Sequence, residues 1–119
     1  MACRFFFGIY FYEKPVEGEV GFVFAGAAGV YKGMCSEVLM AYPFIREGIC
    51  DLFPDLDDAI GWIYDDAVSP NAEQILWGAT LISQIHAWIS RNQLNIKPNA
   101  AIGYSSGESN SLVALGAAQ

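Results

Sequence analysis

Two short apolar runs, each stopped by glycine, confine what this chain can fold into. Glu19–Ala25 (EVGFVFA) is rich in Val and Phe and runs into Gly26-Ala27-Ala28-Gly29-Val30-Tyr31-Lys32-Gly33, which holds three glycines in eight residues. Ala100–Tyr104 (AAIGY) runs into Ser105-Ser106-Gly107. Apolar runs of this length, bounded by turn residues, predict buried strands rather than helices. Glycines directly behind them predict a backbone that bends sharply or is closely approached.

The sequence between the two runs is helical in pattern. A helix is predicted from about Met34 to Ala41, where Pro43 breaks or restarts it by removing a donor and crowding the preceding turn. Phe44–Asp66 predicts one or two short helices interrupted around Pro54. The strongest helix signal is Asn71–Gln93, with Asn71 as N-cap and Glu73 in the first turn. Ile75, Ala79, Ile82, Ile85 and Ile89 form one apolar stripe, which Leu81 and Trp88 widen. Thr80, Ser83, His86 and Ser90 fall on the narrower polar side. Trp77 and Trp88 read as core residues. Lys97-Pro98-Asn99 predicts a turn, and a further helix follows Ser105. The order strand, loop, helices, strand, sharp turn, helix is that of an α/β fold and predicts a parallel sheet covered by helices on both faces. Residues 1–18 read as a linker or edge strand, and 19–119 as one unit.

Composition supplies a core and excludes some functions. Of 119 residues, 54% are hydrophobic and 14% aromatic. The net charge of -7, from thirteen acids against six bases, argues against a nucleic-acid or anionic-membrane surface, either of which needs clustered Lys and Arg. Seven of the acids and no base lie from Glu47 to Asp66. Like-charge runs keep a surface hydrated, so this reads as a solvated helix face, with a partner-docking face as the alternative. Cys3, Cys35 and Cys50 are odd in number and irregular in spacing. They make neither a disulfide framework nor a metal cluster and read as reduced thiols of a cytoplasmic protein. The aromatic run Phe5–Tyr12 is too short to span a bilayer and lacks a small-residue cleavage site.

Chemistry concentrates at Gly103-Tyr104-Ser105-Ser106-Gly107, which matches the G-x-S-x-G elbow. A serine on a tight strand-to-helix turn has its hydroxyl pushed out of the sheet edge, and glycines on both sides relieve the crowding. The helix that follows aims its free N–H groups and positive end at the same spot. A carbonyl attacked by Ser105 would develop negative charge near the N–H of Ser106. The motif alone is weak; a predicted strand before it and helix after it strengthen it. The first glycine-rich loop can offer a further backbone N–H to an oxyanion. It is no P-loop, because no Gly-Lys-Ser/Thr ends it, and Gly26, Gly29 and Gly33 do not have dinucleotide-binding spacing.

Together these two features resemble the acyl-CoA:carrier-protein acyltransferase family. There, the first strand leads into Pro-Gly-Gln-Gly-Ser-Gln-x-x-Gly-Met-Gly, and Gly-His-Ser-x-Gly-Glu follows. Phe22–Cys35 fits the loop without a gap, Gly103–Glu108 fits the elbow, and Ile96–Ile102 is similar to the family's lead-in. Ala25, Ala27 and Val30 replace the loop's proline and glutamines, Tyr104 replaces the histidine before the serine, and Trp77 stands for a further glutamine. These departures resemble divergent acyltransferase-like domains of iterative polyketide and polyunsaturated-fatty-acid synthases.

The resemblance implies a hydrolase-like α/β core and transfer of an acyl group from a coenzyme A thioester to an acyl carrier protein's phosphopantetheine thiol. It implies Ser105 as nucleophile, backbone N–H groups of Ala27 and Ser106 as oxyanion hole, and Gly26, Gly103 and Gly107 as elbow and loop glycines. It implies no bound cofactor or metal, and neighbouring synthase domains such as a ketosynthase as partners. A histidine base and a carboxylate-binding arginine are expected downstream of the serine, and neither follows Ser105 before Gln119. The expectation is therefore the N-terminal part of an acyltransferase domain over 19–119, truncated after the elbow and inactive alone. His86 reads as a polar-face helix residue rather than the base, and Glu108 as a helix-dipole partner. The competing readings are a serine hydrolase of α/β-hydrolase type, which would carry a His-Gly-Gly-type oxyanion loop absent here, and a non-catalytic degenerate scaffold.

Overall fold

The computed structural model describes residues 3–6, 9–14, 17–52 and 56–117, with side chains described for 13–14, 17–47 and 60–117. Strands β1 (Cys3–Phe6) and β2 (Ile9–Tyr12) pair antiparallel in a sheet of their own. Strand β3 (Gly21–Phe24) pairs in parallel with β4 (Ala100–Gly103). Between β3 and β4 come α1 (Ser36–Ala41), α2 (Pro43–Leu52), α3 (Leu56–Tyr64) and α4 (Ala72–Trp88); α5 (Ser106–Ala114) follows β4. The chain is thus mixed α/β with a small parallel sheet. The break expected around Pro54 lies outside the described residues. So do Asp55 and the side chains of Asp51, Asp57 and Asp58 from the acidic run, and those of Cys3 and Cys50. Glu47, Asp65 and Asp66 of that run are exposed.

Local chemistry accounts for the helix ends. Pro43 is the first residue of α2, where a missing N–H costs nothing because the first-turn donors have no intrahelical partner. Asn71 caps α4: its side chain accepts from the Gln74 N–H at 2.8 Å, and the Gln74 side chain accepts from the Asn71 N–H at 3.0 Å. This reciprocal box satisfies two orphan donors at once. Beyond Trp88 the helix loosens into a single π-helical stretch, Ile89–Gln93.

Two apolar clusters hold the elements together. One joins α1 to α4 around Leu39, Ile45, Trp62, Ile63, Ile82 and Ile85. Burial of each such side chain contributes about 1.5–3 kcal/mol, and the Trp62 indole N–H is satisfied by the Gln74 carbonyl at 3.2 Å. The other cluster places Ala87 of α4 and Ala114 of α5 under Phe24, with Phe22 and Ala101 beside them. Gln84 Nε2 donates to the Asn110 carbonyl at 3.0 Å, and the Arg91 guanidinium donates to the Ala114 carbonyl, so α4 and the π-helical stretch after it are both tied to α5.

The structure departs from two expectations. The sheet is covered on one face only among the described residues: helices pack against Phe22, Phe24 and Ala101, while Val23 is 82% and Ile102 66% exposed. Alternation along a strand sends neighbouring side chains to opposite faces, and nothing described covers the second face, so these are half-buried rather than buried strands. Trp77 and Trp88 are not core residues. They are 55% and 43% exposed, because α4 turns Ala79, Ile82 and Ile85 inward and carries both indoles on its outer side. The buried tryptophan is Trp62.

Candidate functional site at the strand-to-helix turn

The parallel register places Phe24 opposite Gly103, so the two strands end side by side and both turns that follow open at the same sheet edge. The Tyr104 N–H donates to the Phe24 carbonyl at 3.1 Å. The chain then reverses at Ser105, whose φ of 57° and ψ of -128° lie in a region that L residues with side chains rarely adopt. A serine preceding a helix ordinarily caps it; Ser105 makes no cap hydrogen bond, and its side chain lies beside Gly26. Its residue is exposed. The turn is closed by the Gly107 N–H on the Tyr104 carbonyl at 2.9 Å and the Glu108 N–H on the Ser105 carbonyl at 3.0 Å. Glu108 lies in the first turn of α5, where its charge faces the positive end of the helix.

Small residues make this geometry possible. A Cβ built on Gly103 would stand 2.2 Å from the Gly107 carbonyl carbon. One built on Gly26 would stand 2.9 Å from the Tyr104 carbonyl oxygen and 3.6 Å from Ser105 Oγ. The glycine-rich turn therefore lies directly against the serine. Ala27 opens a short 3-10 turn, Ala27–Gly29, and its N–H donates to Ser106 Oγ at 3.1 Å. Of the residues singled out from sequence, Gly26, Ala27, Gly103, Ser105, Ser106 and Gly107 thus converge at one sheet edge.

His86 does not join them in any hydrogen bond. It lies exposed near the end of α4 and lines, with Phe22, Phe24, Tyr31 and Met34, a cavity of about 380 Å³ that Ser105 does not line. Among the described residues no group of three His, Cys, Asp or Glu is placed to hold a metal ion, and no helix is long and apolar enough to cross a membrane.

Two features of the loop carry no sequence reading. The Lys32 ammonium donates to the carbonyls of Trp62 at 2.8 Å, Asp65 at 2.5 Å and Val68 at 2.8 Å. It caps the C-terminus of α3 and pins the far end of the loop, helped by the Gly33 N–H on the Ile63 carbonyl at 2.8 Å. A lone lysine has no periodicity, so no local signal announces this. Cys35 has φ 62°, and here a signal existed: in the gapless fit it falls on the pattern's final glycine, the residue suited to that conformation. Burial raises the Cys35 thiol pKa above its ordinary value.

Fold and site together define a mixed α/β chain with an exposed serine on a strained strand-to-helix turn beside a glycine-rich bend. A reducing polyketide synthase of Fusarium langsethiae is 32% identical over 100 residues, covering 76% of this chain and 4% of that protein. The chain is therefore related in sequence to a polyketide-synthase region and spans a small fraction of that relative's length. No family profile matches it, and no solved structure matches it.

Proposed function

We propose that residues 19–119 are the nucleophile-bearing part of an acyltransferase domain with a hydrolase-like core, and that Ser105 carries the acyl group. The observation that supports this most is the contact between the two turns: Gly26 abuts Ser105, and the Ala27 N–H reaches Ser106. The likeness to a reducing polyketide synthase favours this over a free-standing hydrolase, because it sets the serine in a biosynthetic context.

In this reading Ser105 Oγ attacks the thioester carbonyl carbon of an acyl-coenzyme A, and its proton passes to a histidine base that the family resemblance puts downstream of the serine. The carbonyl oxygen becomes an oxyanion held by the N–H groups of Ala27 and Ser106. The C–S bond then breaks, and the coenzyme A thiolate leaves with the proton. The serine ester is transferred to a carrier protein's phosphopantetheine thiol. Neighbouring synthase domains and the carrier protein are the proposed partners, and a cytoplasmic location is proposed with them.

The test is retention of radiolabel from malonyl-coenzyme A, assayed with a histidine- and arginine-bearing downstream segment joined to the chain. Label on protein with Ser105 and none on Ser105→Ala supports the transferase. Equal label on both removes it. Ester hydrolysis without transfer to any thiol acceptor would favour the hydrolase instead.

A further inference from the structure

We infer that the Ser106 hydroxyl is the resting occupant of the oxyanion donor at Ala27, accepting its N–H until a reacting oxygen displaces it. The inference rests on the proposed role of the Ala27 N–H. Within the 3-10 turn, Gly29 N–H and Val30 N–H donate to the Gly26 and Ala27 carbonyls at 3.0 and 3.3 Å. The Ala27 N–H itself has no backbone acceptor there, as expected of the first residue of a helical turn. A partly buried donor needs a partner, and Ser106 Oγ supplies one at 3.1 Å from 79 residues away in sequence.

The oxygen is placed as a substitute for substrate. Ser106 adjoins Ser105, whose Oγ lies against Gly26, so nucleophile, donor and occupant share one small patch. A serine side chain moves between staggered rotamers without moving the backbone, so it can vacate the donor while α5 stays in place. A neutral hydroxyl is a weaker acceptor than an oxyanion, whose charge-assisted bonds are roughly twice as strong. A ground-state carbonyl gains little by displacing the hydroxyl, whereas the developing oxyanion gains more. The hydroxyl thereby restricts the donor to the transition state, where binding accelerates reaction.

Two measurements on the full chain test this, using wild type, Ser106→Ala and Ser106→Thr. The first is hydrogen exchange of the Ala27 amide by NMR. Exchange about 2–10-fold faster in Ser106→Ala, the range of one net neutral hydrogen bond, with Ser106→Thr near wild type, is expected. An unchanged Ala27 rate in Ser106→Ala overturns the inference. The second, on the same proteins joined to the histidine- and arginine-bearing downstream segment, is reaction with diisopropyl fluorophosphate, in which a Ser105 Oγ–P bond forms, fluoride leaves and the serine proton passes to the histidine base. Faster labelling of Ser105 in Ser106→Ala is expected. Slower labelling makes the hydroxyl an anchor rather than a competitor and overturns the inference. Absence of Ser105 labelling in all three proteins removes the nucleophile reading, and the exchange comparison then decides the occupancy alone.

Discussion

Gly107 passes so close to Phe24 that a Cβ built on it would stand 2.2 Å from the Phe24 carbonyl oxygen. That approach lets α5 begin at the sheet edge with no gap, and it sets where Ser105 sits relative to β3. Gly107→Ala must push helix and strand apart, at a cost of about 1–3 kcal/mol or more for overpacking. The expected result is a lower urea midpoint and loss of Ser105 labelling. Gly61→Ala is the control. That glycine is inside α3 with open space around its would-be Cβ, so the change is expected to stabilise by about 0.5–1 kcal/mol.

Ser105 is held at φ 57°, ψ -128°, a conformation that costs about 1–3 kcal/mol for a residue with a side chain. Ser105→Gly relieves it. The variant is expected to gain about 1 kcal/mol in urea unfolding and, when joined to the downstream segment, to lose all label from malonyl-coenzyme A, a trade of stability against function. A Ser105→Gly variant less stable than wild type would show that the turn stores no strain.

Lys32 links the loop to the end of α3 through three carbonyls. Lys32→Met leaves those acceptors to water and removes a cation from a helix C-terminus, costing about 1–2 kcal/mol. Chemical denaturation measures the loss. Because Lys32 reaches only the far end of the loop, faster hydrogen exchange is expected at Gly33 and Met34, with Gly107 unaffected.

Tyr64 is pushed up to about 12 from its ordinary 10.0, first by burial, then by the neighbouring Cys35 charge, with Arg46 opposing. Folding therefore disfavours the phenolate. The folded phenol keeps its proton where the unfolded one has lost it, so Tyr64's contribution is fully present below pH 10.0 and is lost as pH rises toward about 12. The urea midpoint is expected to fall across that window, and Tyr64→Phe is expected to flatten the fall. An identical pH profile in Tyr64→Phe would rule this group out.

Much of the local structure is legible in the residues. Asn71 announces the start of α4 and Pro43 the start of α2, because caps and rings act on their own turn. Of the stripe Ile75, Ala79, Ile82, Ile85 and Ile89, the middle three are buried and the two ends half-buried. Trp77 and Trp88 are exposed against expectation because hydrophobicity says which side chains would gain from burial, while exposure depends on whether a neighbour is there to bury them. The same reason leaves Val23 and Ile102 uncovered on the sheet's second face.

The sequence by itself determined where strands stop and helices start, and which residues are small enough for a sharp elbow, because propensity, caps and glycine positions act over a few residues. Only the tertiary structure decided that the Ala27 N–H finds Ser106, that Lys32 finds the end of α3, and that one face of the sheet stays open. Those contacts join residues far apart in the chain. They exist because β3 and β4 pair in one register and α4 packs beneath them, and no local pattern carries the outcome of that packing.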